Sequence, residues 1–137
     1  MAAEKNFENR LKNWLHTVGV YPAGMPNDKQ TEPPMGWYLK TWGGGFQKSG
    51  IPDMLMCVNG IFIAAELKSS VGKPTELQVK NIQMVNSGGG IGLVVYPEGF
   101  EQFKEIIKGV IQCNFHIAEL KHLCNAHTST KCDTLTS

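Results

Sequence analysis

The sequence predicts an α/β fold in which a mixed β-sheet is flanked by α-helices. The dipeptide Asn59-Gly60 lies between two short apolar runs, and this is the strongest two-residue signal for a β-hairpin. A helical pattern separates the hairpin from a third apolar run at 91–96, so we expect a strand–helix–strand crossover and a parallel strand pair. Amphipathic helical patterns at about 4–18 and 100–112 supply helices for the faces of the sheet.

The first fifty residues predict one helix followed by a long connection. Apolar side chains recur at helical spacing from about residue 4, and Gly19 ends the pattern. Residues 20–50 are rich in proline and glycine, and we interpret them as a substrate-contacting loop, because long loops in a small domain are usually functional. Within this segment, only 37–42 has the composition of a strand. The apolar positions of the helix are Phe7, Leu11, Trp14, Leu15 and Val18.

Turn and cap signals define the later elements. Pro74-Thr75 opens a helix, and the glycine run 88–90 follows its end. A further helical piece at about 115–125 precedes a Thr/Ser-rich tail, which we expect to be flexible from about residue 126. The predicted order is helix 4–18, strand 37–42, hairpin strands 51–58 and 61–68, helix 75–85, strand 91–96 and helix 100–112.

Composition restricts the class of protein. The chain has 137 residues and a formal net charge of +1, so we expect a single domain over 1–137 whose nucleic-acid contacts, if it makes any, come from local patches. No apolar run reaches the length of a membrane span, and the first residues lack a signal-peptide pattern. We therefore expect no membrane partner and a cytoplasmic location.

Cysteine and histidine residues gather toward the C-terminus. The pairs Cys113–His116 and Cys124–His127 have a spacing compatible with zinc, although zinc sites usually show a tighter pattern. The simpler interpretation is a helical tail that carries these residues by chance. Cys57, in contrast, lies in a predicted core strand, where a free thiol behaves as a small apolar group.

Three charged residues lie at the open end of the predicted hairpin. If the loop has two residues, Val58 pairs with Ile61, and Asp53 then lies opposite Glu66, with Lys68 on the same face of the sheet. Opposed carboxylates repel each other, and a hard divalent cation such as Mg²⁺ is the natural group to offset them. The simpler interpretation is a hairpin end open to water with a weak surface Glu–Lys pair.

Three motifs in this order resemble the PD-(D/E)XK nuclease superfamily: the tetrapeptide GIPD at 50–53, the tripeptide ExK at 66–68, and a helix that carries Gln78. The closest resemblance is to small phage and bacterial members, the virus-type replication–repair (VRR-NUC) nucleases and the Holliday-junction resolvases. It covers roughly residues 4–107 and implies a restriction-endonuclease-like fold in a protein of a bacterial or phage-infected host cell.

The resemblance implies a role for each matching residue. Asp53 and Glu66 match the acids that bind the metal, and the main-chain carbonyl of Leu67 matches a further ligand. Lys68 matches the catalytic lysine that positions the attacking water, and Gln78 matches a helix glutamine that lies beside the site. The implied cofactor is Mg²⁺, for which Mn²⁺ substitutes.

Glu8 matches a first-helix glutamate that contributes to metal binding in resolvase-type members. Glu8 and Gln78 also have simpler interpretations. Glu8 lies four residues before Lys12, which is the spacing of a helical ion pair. Gln78 lies three residues after Thr75, which is the spacing of a capping box.

Lysines near aromatic residues are the candidates for nucleic-acid contact. We expect Lys40, Lys48 and Lys73 to contact phosphates. Four aromatic rings lie near the first two lysines. They stack on unpaired bases in one interpretation and only cover the sheet in the other. The four are Trp37, Tyr38, Trp42 and Phe46.

The function that the sequence predicts is a Mg²⁺-dependent DNA endonuclease acting on branched or other repair and recombination intermediates. Symmetric cutting of two strands by resolvases also favours a homodimer. The alternative is a non-catalytic DNA-binding or protein-interaction module that retains a nuclease fold.

Overall fold

A five-stranded mixed sheet forms the centre of the fold in the computed structural model, which describes residues 2–41 and 49–113. The strands lie in chain order, with the outer pairs β1–β2 and β4–β5 parallel and the inner pairs antiparallel. The predicted α/β class and the parallel pairing across the crossover are therefore confirmed. The strands are β1 Val20–Pro22, β2 Gly36–Lys40, β3 Met54–Val58, β4 Ile61–Leu67 and β5 Ile91–Val95, and the helices are α1 Ala2–Thr17, α2 Glu76–Ser87 and α3 Phe100–Gln112.

The β3–β4 hairpin has the register that its two-residue turn predicts. Val58 pairs with Ile61, and Met54 pairs with Ala65. Asn59 has a φ of 47° and Gly60 a φ of 85°. Both values are positive, as required in the two-residue turns whose twist matches that of the flanking strands. The turn thereby determines which side chains of both strands share a face.

The apolar face of the hairpin packs under α1 and α3. Met54, Met56 and Ile63 are fully buried in one cluster with Phe7 of α1 and Phe103 of α3. The rest of this core comes from the same face of the whole sheet, including β1, β2 and β5, and from the same two helices. It includes Leu11, Leu15, Val58, Ala65, Leu67 and Ile107.

Helix α2 covers the opposite face over β4 and β5. Gly92 of β5 allows this approach, because a Cβ there would lie 2.5 Å from the main-chain oxygen of Ile82 in α2. The helix thus packs directly on the sheet backbone, and its residues reach the end of β4 where Glu66 lies.

The prediction that residues 20–50 form a loop with one strand at 37–42 is only partly right. The segment holds two paired strands, and the second begins at Gly36. The first, β1, is an edge strand. Pro22 has no amide hydrogen to donate, and an edge strand tolerates this because it pairs with another strand on one side only. Gly19 also does more than end α1, because its carbonyl accepts from the amides of Met35 and Gly36 and so fixes the start of β2. Because the segment is rich in proline, its composition does not indicate β1, which depends on pairing with β2.

The expectation that Cys57 is a small apolar group of the core is wrong, because one face of the hairpin is open near the turn. Cys57 is exposed, Phe62 is 45% exposed, and Trp37, which lies across β3 from Phe62, is 46% exposed. The reason is that α2 lies over β4 and β5, and no other helix of the described residues lies on this face of β2 and β3.

Several sequence predictions lie outside the described residues. These are the helical piece at 115–125, the tail from about 126, Lys48 with the rings of Trp42 and Phe46, and Cys124 with every histidine of the suggested zinc site. Cys113 is described and is a free, exposed thiol. Among the described residues, no helix is both long enough and apolar enough to cross a membrane.

Candidate functional site

Asp53 and Glu66 meet at the end of the hairpin that lies away from its turn. Asp53 directly precedes β3, and Glu66 is the penultimate residue of β4. The amide of Asp53 donates to Oε2 of Glu66 at 3.2 Å, and the amide of Leu67 donates to Oδ2 of Asp53 at 2.9 Å. The two acids are therefore brought together, as the register predicts, and each carboxylate is tied to the other strand.

Thr41 fixes the main chain at Asp53 from the side of β2. Its amide donates to the carbonyl of Asp53 at 2.7 Å, and its hydroxyl donates to the carbonyl of Pro52 at 2.8 Å. The β2–β3 pairing thus continues past Lys40 to the acid itself. The position of Asp53 depends on a strand whose bounds the sequence predicts only approximately.

Helix α2 fixes the preceding turn from the other side. Gly50 has a φ of 83°, and a Cβ at this residue would clash with the side chain of Leu77. Asn81 donates to the carbonyl of Gly50 at 2.8 Å. The GIPD turn therefore needs glycine at its first position, both for its backbone conformation and for its contact with α2.

Glu66 is a buried acid with three polar partners, of which the amide of Asp53 is one. Its side chain is 2% exposed, its Oε1 lies 3.3 Å from Nζ of Lys68, and the same oxygen accepts from Nε2 of Gln78 at 2.9 Å. Burial and the nearby charge of Asp53 raise the pKa of Glu66 to about 7, although Lys68 acts in the opposite direction.

Gln78 satisfies both interpretations that the sequence left open. Its Oε1 accepts from the amide of Thr75 at 2.8 Å, which completes a capping box at the start of α2. Its Nε2 donates to Glu66 at the same time. The cap holds the glutamine at the helix end nearest the site, so one side chain serves both purposes.

Glu8 is the other buried acid among the described residues, and lysines surround it. Its carboxylate lies 2.9 Å from Lys5, 3.1 Å from Lys12 and 3.0 Å from Lys40. Burial alone would raise the pKa of Glu8, but the three ammonium groups outweigh burial and hold this pKa at about 2. The predicted helical pair with Lys12 is confirmed, and Lys40 of β2 is a further partner.

Lys40 links Glu8 to the hairpin acids. Its ammonium lies 3.0 Å from Oε1 of Glu8 and 3.4 Å from Oδ1 of Asp53. Burial would lower the pKa of Lys40, yet the two acids raise it above its usual value. The predicted phosphate contact of Lys40 remains a prediction, and the structure adds an internal role that sequence reasoning missed. Lys73 is exposed in the loop before α2.

The donor set fits a hard divalent cation held by two carboxylates. Mg²⁺ takes one or two protein carboxylates and completes its shell with water and phosphate oxygens, and Asp53 and Glu66 offer such a pair. Within residues 2–41 and 49–113, no group of three or more His, Cys, Asp or Glu side chains forms a metal cluster. Glu8 contacts Lys40, and Lys40 in turn contacts Asp53. The role of the Leu67 carbonyl as a metal ligand remains a prediction.

Two further residues of the site carried a weak sequence signal or none. Asn81 lies three residues after Gln78, so helical spacing alone places both on the face of α2 that meets the sheet. Thr41 has no such signal, because its contact with Asp53 follows from the pairing of β2 with β3.

Comparisons of this chain with protein-family models, with curated proteins and with solved structures found no match.

Proposed function

We propose that this protein is a metal-dependent DNA endonuclease that hydrolyses phosphodiester bonds. The observation that supports this proposal is the buried Glu66, which faces Asp53 across two strands and contacts both Lys68 and Gln78. The two acids, the lysine and the helix glutamine lie together in the structure, and their order in the sequence is the one that resembles the nuclease superfamily.

Each side chain has a chemical task in this proposal. Asp53 and Glu66 would hold a Mg²⁺ or Mn²⁺ ion, which when bound polarises the scissile phosphate and lowers the pKa of a water. Lys68 lies beside Glu66 and orients the attacking water or stabilises charge on the phosphate. Gln78 orients the Glu66 carboxylate through its 2.9 Å hydrogen bond. The substrate in the proposal is branched DNA or another repair intermediate.

Removal of either acid tests the proposal. We expect Asp53→Asn and Glu66→Gln to reduce cleavage to background on a panel of junction, flap, duplex and single-stranded DNA with Mg²⁺ or Mn²⁺. Glu101→Gln is the matched control, because Glu101 is an exposed carboxylate in α3 that pairs only with Lys104 among the described residues. Retained cleavage by both acid variants would contradict the proposal.

One observation favours the alternative of a non-catalytic module that retains this fold. All four carboxylate oxygens of Asp53 and Glu66 have protein partners, from Lys40, Lys68, Gln78 and two main-chain amides. The site is thus internally satisfied by protein donors. Calorimetric titration with Mg²⁺ and Mn²⁺ separates the two candidates, since the module predicts no specific binding and the nuclease predicts binding that Glu66→Gln abolishes.

A further inference from the structure

Asp53 has charged neighbours on two sides, and they differ in kind. On the α2 side lies Glu66, whose side chain reaches α2 through Gln78. On the α1 side lies Lys40, which pairs across the sheet with the buried Met54 and contacts Glu8 of α1. Asp53 therefore stands between an acid on one face of the sheet and a lysine on the other.

The side toward α1 already contains a cation. The Lys40 ammonium lies between two carboxylates, 3.0 Å from Glu8 and 3.4 Å from Asp53, and its side chain is 31% exposed. None of the ion pairs among the described residues joins Lys40 to Glu66. Lys68 contacts Glu66 at 3.3 Å, but none of these ion pairs joins Lys68 to Asp53. Lys40 thus occupies the position between Glu8 and Asp53, and no lysine among the described residues pairs with both Asp53 and Glu66.

We infer that Lys40 takes the place of a second metal ion, so that the site binds one divalent cation and Glu8 serves to position the lysine. This inference rests on the proposed function and specifies its metal stoichiometry. It assigns Glu8 a role different from the metal ligand that the resemblance implies.

The charges around Glu8 support this assignment. Glu8 is 6% exposed and contacts three ammonium groups, so its negative charge is already offset without a metal. Of these three lysines, Lys40 also contacts Asp53, while Lys5 and Lys12 lie on α1 with Glu8. Lys40 is therefore the lysine that connects the charge of Glu8 to the site. A covalently attached cation does not exchange with solvent, whereas a second Mg²⁺ would have to be captured from solution.

Metal stoichiometry measured by calorimetry tests the inference. We expect the unmodified protein to bind one Mn²⁺ or Mg²⁺ per chain. We expect Lys40→Ala to bind two, because removal of the ammonium leaves no lysine that contacts both Oε1 of Glu8 and Oδ1 of Asp53, while Lys5 and Lys12 remain at Oε2 of Glu8. Lys40→Gln retains most of the side-chain length and serves as a second variant in case Lys40→Ala fails to fold. We expect Lys40→Gln also to bind a second ion, more weakly than Lys40→Ala does.

Two controls accompany these variants. Lys12→Ala removes an ammonium that contacts Glu8 at 3.1 Å but lies on α1 away from Asp53, and we expect one ion per chain. Lys40→Arg keeps a positive charge at the position, and we also expect one ion. A second readout is the dependence of cleavage on Mg²⁺ concentration, which should have an order of one in the unmodified protein and two in Lys40→Ala.

The outcomes separate this inference from the proposed function. Two ions bound by the unmodified protein, or one ion bound by both Lys40→Ala and Lys40→Gln, would overturn the role of Lys40 and leave the nuclease proposal intact. One bound ion with no cleavage of any DNA would overturn the nuclease proposal and leave the stoichiometry standing. No bound ion would overturn both.

Discussion

Glu66 illustrates how the surroundings of one residue change its chemistry. The side chain is 2% exposed and faces a second acid, and these two effects raise the pKa of Glu66 to about 7. The ordinary pKa of a glutamate, which applies in the unfolded chain, is 4.5. The folded protein therefore binds a proton at Glu66 in a pH range where the unfolded chain has released it.

This difference predicts a pH dependence of stability in the absence of divalent ions. Because the pKa of Glu66 is raised in the folded state, its contribution to the free energy of unfolding is greatest below pH 4.5 and is lost as the pH rises through about 7. We expect the Glu66→Gln variant to lack this decrease. Urea unfolding of both proteins at several pH values between about 4 and 8 measures it.

The difference between the two curves isolates Glu66. His16, whose pKa burial lowers below the usual value, is present in both proteins, so its contribution cancels in the difference. Parallel curves for the two proteins would contradict the predicted role of Glu66.

Among the single elements, the GIPD turn determines where Asp53 stands. The turn is held by Asn81 of α2 on one side and by Thr41, which follows β2, on the other. Gly50 makes this double attachment possible, because its φ of 83° is unfavourable for other residues and the side chain of Leu77 fills the space that a Cβ would need.

Gly50→Ala therefore combines two costs that a control separates. Gly24 has a φ of 80°. Apart from Gly24 and its two chain neighbours, no described residue has an atom within 4 Å of the place that a methyl group would take there, so Gly24→Ala measures the backbone cost alone, about 1–2 kcal/mol. We expect Gly50→Ala to cost about 1–3 kcal/mol more, because the methyl group also displaces Leu77. Guanidinium unfolding of the two variants gives the comparison, and equal destabilisation would contradict a tight contact with α2.

Across the molecule as a whole, Asn59 joins the hairpin turn to the end of α3. Its side-chain amide donates to the carbonyls of Val110, Ile111 and Cys113 at 2.9, 3.2 and 2.8 Å. These carbonyls lie at the C-terminal end of α3, where helix carbonyls lack partners in the helix. One turn residue thus sets the hairpin register and caps a helix that ends far along the chain.

Asn59→Gly separates these two roles. Glycine accepts the positive φ of the turn, so the register is retained, while the bonds to α3 are lost. We expect a destabilisation of about 1–3 kcal/mol, the cost of removing the protein donor of the Ile111 and Cys113 carbonyls, while the Val110 carbonyl keeps the amide of Cys113. Equilibrium unfolding measures the change, and hydrogen exchange at the last turn of α3 should rise with it. An unchanged free energy of unfolding would mean that water replaces the cap at no cost.

Local chemistry is enough to specify the hairpin, α3, most of α2 and the acid pair at the hairpin end, and these features could be predicted from the sequence. Asn59-Gly60 specifies a two-residue turn, and strand alternation then places Asp53 opposite Glu66. The amphipathic period fixes α3 at the predicted residues 100–112.

Long-range packing is needed for the pairing of β1 with β2, for the hydrogen bonds of Thr41 to the main chain of the GIPD turn, and for the position of Lys40 between Glu8 and Asp53. Each of these contacts joins segments that are separated along the chain. A proline-rich composition does not reveal that an edge strand is present, and helical spacing does not reveal that a glutamate meets a lysine from a neighbouring strand. Packing of α1 against the sheet creates that meeting, because burial requires the charge of Glu8 to find cationic partners in the folded protein.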